Sequence, residues 1–560
     1  MYLIGIDVGG TFTDGIIMKS GNITASAKNA TNNSDISSSI LTTLDNLLAY
    51  VSDKKLIERV VISTTTVTNL IATKGAEPAA LILLPGYGLP NSFYELGENC
   101  YFIKGSIDFR GNITEELSVS EIKSVIENIQ VQNIKRIGVI GKFSNRNNEH
   151  ELYIEKLIRE TYPEALVLIS SQVSNQLNFK RRIATTYYTA LTYFEWQNFI
   201  EQINKALIAR DISAEVHILK ADGGTIALEA SRNYPCQTIY SGPAASTMGG
   251  VALTKDSKNS VVLDIGGTTT DISLVIEGEP LYASKGAIIE DNYTHVEAFS
   301  LTTLPIGGDS KIGLLNNEIT LDSRQDFAAC FGGKYPTITD AFNLLYDLKI
   351  GDYQKSEEIL RQLAIKENLD PKKLAETAIN MVMESLENAI KEMFTRWEME
   401  PLYKVWEVVN SRKFVLHRII GIGAAANAII PVLASRLGVN HFLSQYSPVA
   451  NALGTAVARP TININLHIDT GENFYSVYPT GYLGQIKNSR NFSLEDAKSL
   501  ARNHLAELVK EHNMEGYEED AVFYLTEQFN VIRGYSTSGK IFDVGLQVKP
   551  GFIPEFTGVK

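Results

Sequence analysis

One nonapeptide occurs twice in this chain of 560 residues. Residues 6–14 read Ile-Asp-Val-Gly-Gly-Thr-Phe-Thr-Asp and residues 263–271 read Leu-Asp-Ile-Gly-Gly-Thr-Thr-Thr-Asp, identical at six of nine positions. Apolar runs flank both copies, at 2–6 and 15–18 and again at 261–263 and 272–276. Each copy is predicted to form strand, Gly-rich turn, strand, which is a β-hairpin with a loop of phosphate size. The copies are offset by 264 − 7 = 257 residues. That is far beyond a solenoid period and implies duplication of a whole α/β domain.

The residue types in the repeat suit phosphate chemistry. Glycines let a backbone approach a phosphate and turn its N–H groups inward as an anion-binding concavity. Threonine hydroxyls add donors, and an Asp at a strand end is a hard oxygen ligand for Mg²⁺. The candidate phosphate cradle is therefore Gly9, Gly10, Thr11 and Thr13 with Gly266, Gly267, Thr268 and Thr270. Asp7 and Asp264 are the candidate Mg²⁺ ligands, and Asp264 or Asp271 the group that orients a reacting oxygen. Phosphoryl transfer is mainly positioning and charge neutralisation, and this set supplies both. One such loop is also an ordinary turn; two, facing one cleft, are harder to explain as turns alone.

Between the copies the pattern alternates strand and helix. Strands are expected at 59–64, 79–85, 134–140 and 217–221, and helices at 118–128, where Ser118 and Glu121 have capping-box spacing, and at 178–200. This order predicts an α/β fold with helical layers on a mixed or parallel sheet. After the second copy, Asp370-Pro371 opens a helix whose Leu374, Ala378, Met381, Ser385, Ala389 and Met393 fall at helical spacing. A strand at 414–420 runs into Gly421-Ile-Gly-Ala-Ala-Ala426 and a further helix. The tail has a capping box at Ser493 and Asp496 and strands at 529–532 and 541–548, the pattern of a small α+β unit. The expected division is 1–200, 201–460 with a helical insertion at about 311–410, and 461–560.

The net charge of −13 argues against a sequence-independent nucleic-acid binder. Cys100, Cys236 and Cys330 are widely spaced, which disfavours a disulfide framework or a cysteine zinc site and points to a reducing cytoplasm. Asp7 breaks the N-terminal apolar run, as a signal peptide does not allow, and charged residues in 414–439 exclude a membrane span there.

The paired loops resemble the acetate kinase, sugar kinase, heat-shock 70 and actin superfamily. That resemblance implies duplicated RNase H-like domains flanking an ATP cleft and a strand–Gly–helix turn under the adenosine, here Gly421, Gly423 and Ala424. Further motifs narrow it: Ser63-Thr-Thr-Thr-Val-Thr-Asn69, Ser144-Asn-Arg-Asn-Asn-Glu-His-Glu151, Ser241-Gly-Pro-Ala-Ala245, Cys330-Phe-Gly-Gly333 and Pro336-Thr-Ile-Thr-Asp-Ala341. Over about residues 1–460 the chain resembles the hydantoinase A/5-oxoprolinase family. The resemblance implies ATP and Mg²⁺ as cofactors and hydrolysis of a five-membered cyclic amide, such as a hydantoin or 5-oxoproline. It also implies a second hydantoinase subunit or a homo-oligomer. Two segments depart from the family: Gly421-Ile-Gly-Ala-Ala-Ala-Asn427 lacks a His, and Pro305-Ile-Gly-Gly-Asp-Ser310 replaces a glycine-richer element.

Other candidates have plainer readings. His150, between two acids, reads as an exposed helix start, and Arg182 in Asn178-Phe-Lys-Arg-Arg182 as part of a surface helix face. Cys330 reads as small buried packing rather than a nucleophile, Thr339-Asp340 as a helix cap, and the Met381/Met393 stripe as core. Two rivals share the paired loops: an actin-like ATPase that activates a partner enzyme, and a small-molecule kinase.

Overall fold

The computed structural model describes residues 2–559 apart from 33, 316–317, 367–368, 401–412, 487–488 and 534–535. The last ten residues of the expected helical insertion thus lie outside the described residues.

Both copies of the nonapeptide fold as the turn of an antiparallel hairpin. Tyr2–Val8 pairs with Phe12–Lys19, and Ser260–Ile265 with Thr270–Ile276. The registers match: Asp7 lies opposite Asp14, and Asp264 opposite Asp271. Each hairpin then continues in the same way. Ile57–Ser63 and Glu215–Leu219 extend the first sheet in parallel, and Arg418–Ile422 and Asn440–Phe442 extend the second. The duplication therefore reaches four strands deep on each side. The strands at 215–227 close the first sheet, so the boundary expected at residue 200 falls within the stretch of chain that builds it.

A separate parallel sheet of Asn99–Phe102, Ala79–Leu84, Arg136–Gly141 and Leu166–Ile169 is inserted in the first half. Ala79–Leu84 is buried at every position, as a parallel strand covered on both faces must be. The C-terminal unit is a five-stranded antiparallel sheet with helix Leu494–Glu511 on one face. Its strands Val522–Arg533 and Ser536–Val548 are longer than the apolar runs that announced them.

Helix starts follow the capping residues. Asp370 and Ser493 accept from the N–H groups of Lys373 and Asp496, and Ser493 with Asp496 forms a complete capping box. At Ser118 only half of the box forms, because Glu121 turns away to accept from the Lys104 N–H. In helix Pro371–Glu398 the buried stripe runs through Ala378, Val382, Met383, Leu386 and Met393, while Met381 and Ser385 are half-buried at its edge.

Two helices join the hairpin sheets, Ser241–Thr254 and Ala450–Val457, and they touch backbone to backbone. A Cβ on Gly249 would stand 2.1 Å from the Ala450 carbonyl oxygen, and one on Gly454 would stand 2.3 Å from the Gly249 nitrogen. A Cβ on Gly5, in the first hairpin, would stand 2.2 Å from the Ala452 oxygen. Only glycine fits at these three positions.

Candidate functional site

The two hairpin turns close identically. The Gly9 N–H donates to the Phe12 oxygen and the Gly266 N–H to the Thr269 oxygen, both at 3.0 Å. Gly10 and Thr268 form the exposed tips, with Gly9, Thr11, Gly266 and Gly267 half-buried beside them. Thr13 and Thr270, expected to donate to phosphate, are fully buried, and their hydroxyls are engaged inside the protein. Thr31 Oγ1 donates to the Gly9 carbonyl, so Thr13 donates to Thr31, and Thr270 donates to the Ile306 carbonyl. Both brace the turn from below.

The acids do gather. Asp7 is 3% exposed, and its carboxyl is pushed up to about 7 by burial, reinforced by the negative charges of Asp14 and Asp264, while Ser63 and Asn451 ease its ionisation. Its Oδ1 has no partner among the described residues. Asp264 accepts from Ser246 Oγ and, at 2.9 Å, from Asn451 Nδ2. Asn451 thus stands at both acids. Asp271 accepts from Thr303 Oγ1, and burial pushes it up to about 7. Asp14 is paired with Lys28 at 2.7 Å.

Pro305-Ile-Gly-Gly-Asp-Ser310 is laid along the second turn. The Gly308 and Asp309 N–H groups donate to the Gly266 and Gly267 carbonyls. From beyond this element Arg324 reaches back across the cleft. Its Nη1 donates to Thr11 Oγ1 at 2.9 Å, and its Nε lies 3.4 Å from Asp309 Oδ2. A cation therefore sits against the first turn and is tied to the second. Arg324, Asn451 and Ser246 were not legible as site residues. Arg324 and Thr11 are 313 positions apart and Asn451 and Asp264 are 187 apart, and none of the three lies in a motif with its partner.

The strand–Gly–helix turn differs from expectation in detail. Gly421 is buried, and its missing Cβ makes room for Ile430 and Leu443. Gly423 has φ +86°, and a Cβ there would meet Asp264 Oδ1 at 2.5 Å. Its conformational freedom serves the close approach of this turn to the acid. Ala424 is the exposed member.

Two residues assigned to the surface are interior. Arg182 is fully buried and donates to Ser170 Oγ and to the Gln176, Gly141 and Lys142 carbonyls. His150 is 5% exposed, and burial lowers its pKa. Its neighbour Glu151 accepts from the Gly141 and Ser171 N–H groups and from Ser170 Oγ. Asp340 ties the Ala329, Cys330 and Thr337 N–H groups together in a capping box with Thr337. The Cys330 thiol beside it is pushed up to about 12 by burial, so it is no thiolate nucleophile. Thr339 Oγ1 donates to the Gly308 carbonyl.

The family model described as Hydantoinase/oxoprolinase matches residues 182–464, and that of its N-terminal region matches residues 3–162. The chain belongs to the hydantoinase/oxoprolinase family. The acetophenone carboxylase gamma subunit of Aromatoleum aromaticum is 25% identical over 60% of this chain and 52% of its own. The caprolactamase alpha subunit of Pseudomonas jessenii is 24% identical over 43% of this chain and 36% of its own. The chain thus spans about a third to a half of these curated relatives. Among solved structures, nucleotide-free acetone carboxylase aligns with TM-score 0.71 at 15% identity, covering 100% of this chain and 89% of that one. The ATP-dependent caprolactamase of P. jessenii aligns with TM-score 0.70 at 18% identity, covering 97% and 87%. These alignments establish the α/β fold. Among the described residues no helix is long and apolar enough to cross a membrane.

Proposed function

We propose that this protein uses ATP to open a five-membered cyclic amide by phosphorylating the amide oxygen. The observation that carries the reading is the pair of acid-ended hairpins in matched register, with Asn451 donating to Asp264 and standing near enough to Asp7 to ease its ionisation. Family membership supports it, and so does the lactam in the name of one relative.

Mg²⁺ fits these residues. Asp7 Oδ1 is buried and unpartnered, and among the described residues no three His, Cys, Asp or Glu side chains gather into an all-protein cage. Mg²⁺ characteristically binds through one or two carboxylates plus substrate phosphates. Asp7 and Asp264 would hold it. Bound there, the cation would neutralise charge developing on the phosphates.

The chain's own groups do the rest. The N–H groups of the two turns and Arg324 bind the triphosphate, and Ala424 lies open to the adenosine. Asp271 orients the reacting oxygen. The amide oxygen attacks the γ-phosphorus and ADP leaves. The resulting imidate-like phosphate is a far better electrophile than the amide. Water adds to its carbon, and the ring C–N bond of the adduct breaks as the nitrogen takes up a proton and leaves as the amine. A second water attacks the carbon of the resulting acyl phosphate, releasing the carboxylate and a phosphate that carries the former carbonyl oxygen. Closure of the two halves excludes the water that would hydrolyse ATP unproductively.

A second reading rests on the carboxylases among the relatives: the same activation applied to a ketone or bicarbonate oxygen. One experiment separates these. Phosphate release is measured with cyclic amides, and with ketones plus bicarbonate, in the presence of any co-encoded subunit. An amide labelled with ¹⁸O in its carbonyl should deliver that oxygen to the released phosphate. Ring opening without transfer of label would refute the phosphorylated amide. Stimulation by ketone plus bicarbonate alone would favour the second reading. ATP hydrolysis indifferent to every small molecule would return the protein to the activator class.

A further inference from the structure

The two hairpins can be compared rung by rung. In the first sheet Asp7 lies opposite Asp14, and Asp14 opposite Lys28 on the strand Asn22–Ala30. In the second sheet Asp264 lies opposite Asp271, and Asp271 opposite Thr303 on the strand Leu301–Leu304. Residues directly opposite each other in a ladder share one face of the sheet. Each rung is therefore a row of three side chains beside a turn. The first two places hold acids in both copies. The third holds lysine in one copy and threonine in the other.

Thr303 gives Asp271 a single hydroxyl. Lys28 makes three bonds. Its Nζ donates to both oxygens of Asp14, at 2.7 and 3.0 Å, and to the Pro448 carbonyl oxygen at 3.4 Å. An ammonium has three N–H donors and no acceptor, and here three oxygens take them. Pro448 is 420 positions away and follows the strand Asn440–Phe442 of the second sheet. It lies in the turn Ser447–Val449, whose Ser447 accepts from the Gly423 N–H and donates to the Gly421 carbonyl. The helix that comes next carries Asn451, the donor to Asp264. One ammonium thus joins the first hairpin to the segment that supports both the strand–Gly–helix turn and the second acid.

Neither folding nor solubility accounts for this lysine. The second copy builds the same rung with threonine. An ion pair that water reaches adds little to stability, and the Lys28 side chain is 35% exposed. Lysine also serves on edge strands to block pairing with another chain, and Asn22–Ala30 is an edge. Such a lysine points its charge at solvent, whereas this one turns it onto a carboxylate and a carbonyl. The surroundings are negative: Asp14 and Asp264 bear on Asp7, and Asp264 bears on Asp14. Among the described residues no other Lys or Arg is ion-paired with an acid of either turn. With both oxygens of Asp14 occupied, that acid is withheld from a metal, while Asp7 keeps an unpartnered Oδ1.

Resting on the ATP cleft of the function proposed above, we propose that Lys28 is a positioning residue, a tethered cation that fills a three-oxygen site between the first hairpin and the Ser447–Val449 turn. Its charge leaves Mg²⁺ to Asp7 and Asp264, and its bonds hold the adenosine-side turn at a fixed distance from the first phosphate turn. The ammonium of lysine is a compact point charge, so free NH₄⁺ or K⁺ should be able to stand in for the side chain.

The test uses the full chain and a Lys28→Thr variant, copied from the second rung, in calorimetric titration with Mg²⁺ and a non-hydrolysable ATP analogue. Two salts are compared at equal ionic strength: tetramethylammonium, too bulky for the site, and ammonium. The ratio of the dissociation constants, tetramethylammonium over ammonium, should be at least about tenfold larger in Lys28→Thr than in wild type, the scale of losing a charge-assisted hydrogen bond. Lys28→Met fills the site without a charge, so it should bind weakly in both salts. Equal ratios in wild type and Lys28→Thr, or recovery of Lys28→Met in ammonium, would overturn the role given to Lys28 and leave the ATP cleft standing. A Lys28→Thr chain that does not fold in ammonium would overturn it too, by making the lysine a structural strut. If wild type binds the analogue in neither salt, the ATP cleft itself falls, and the role of Lys28 with it.

Discussion

Replacing Asp7 by Asn should make the nucleotide-free protein more stable above neutral pH while destroying its ATPase activity. The carboxyl has an ordinary value of 3.8 and stands at about 7 in the fold, chiefly through burial. Between these values the unfolded chain has lost the proton and the folded chain keeps it. Folding there takes up a proton, so stability falls as pH rises from about 4 to about 7 and is level above. At 1.36 kcal/mol per pH unit the whole cost is about 4 kcal/mol, of which about 3 is incurred between pH 5 and pH 8. Asn carries no such slope, and its amide retains Ser63 and Asn451 as neighbours. The contribution of Asp271 cancels in the comparison. Relief of Asp14 and Asp264 from a negative neighbour acts in the same direction. The advantage of Asp7→Asn over wild type should therefore grow by about 3 kcal/mol from pH 5 to pH 8, or roughly 5–10 °C in the melting of a domain of this size. The assay is thermal melting in chelator at both pH values, beside phosphate release with Mg²⁺ and ATP. Turnover should fall at least about a hundredfold, the scale of losing one electrostatic contact to the transition state. A melting difference independent of pH, or an Asn variant less stable than wild type at pH 8, would refute the account of Asp7.

Arg324→Ala removes the cation that bridges the turns. A charge-assisted hydrogen bond is worth about 1.5–3 kcal/mol, so the KM for ATP should rise roughly 10- to 100-fold with a smaller change in kcat; an unaltered KM would remove Arg324 from the site. Gly423→Ala places a Cβ against Asp264 at a positive φ, so kcat should fall at least about tenfold, given a strain of roughly 1–2 kcal/mol with displacement of the acid added. Melting should still show protection by ATP, and wild-type turnover would contradict the contact. Cys330→Ala should leave turnover in place, because a thiol held near 12 supplies no nucleophile; loss of burst-phase or steady-state activity in a folded variant would reverse that reading.

Local chemistry made much of the fold legible. Two copies of a turn sequence, bounded by apolar runs, have few solutions other than paired hairpins, and the matched registers of Asp7 with Asp14 and Asp264 with Asp271 follow from equal spacing. Capping residues marked helix starts because their partners lie three positions away. Contacts across the chain left no such trace. Arg182 and His150 sit among polar neighbours that read as a solvated face, yet an inserted sheet covers them. Thr13 and Thr270 share the spacing of phosphate donors, but strand alternation turns every second side chain inward, and those two fall on the inner face. Gly421 and Gly423 look alike in the sequence. One makes room for Ile430 and the other for Asp264, a difference fixed only when helix and hairpin meet.

The backbone contact of Gly249 with Gly454 leaves no room for a side chain, so no rotamer change at that point can absorb a displacement of one helix against the other. Asn451 lies one position from Ala450, whose carbonyl rests on Gly249, and its amide is bonded to Asp264. A shift of helix Ala450–Val457 against helix Ser241–Thr254 would therefore be carried by the chain itself to Asn451 and to its hydrogen bond with Asp264.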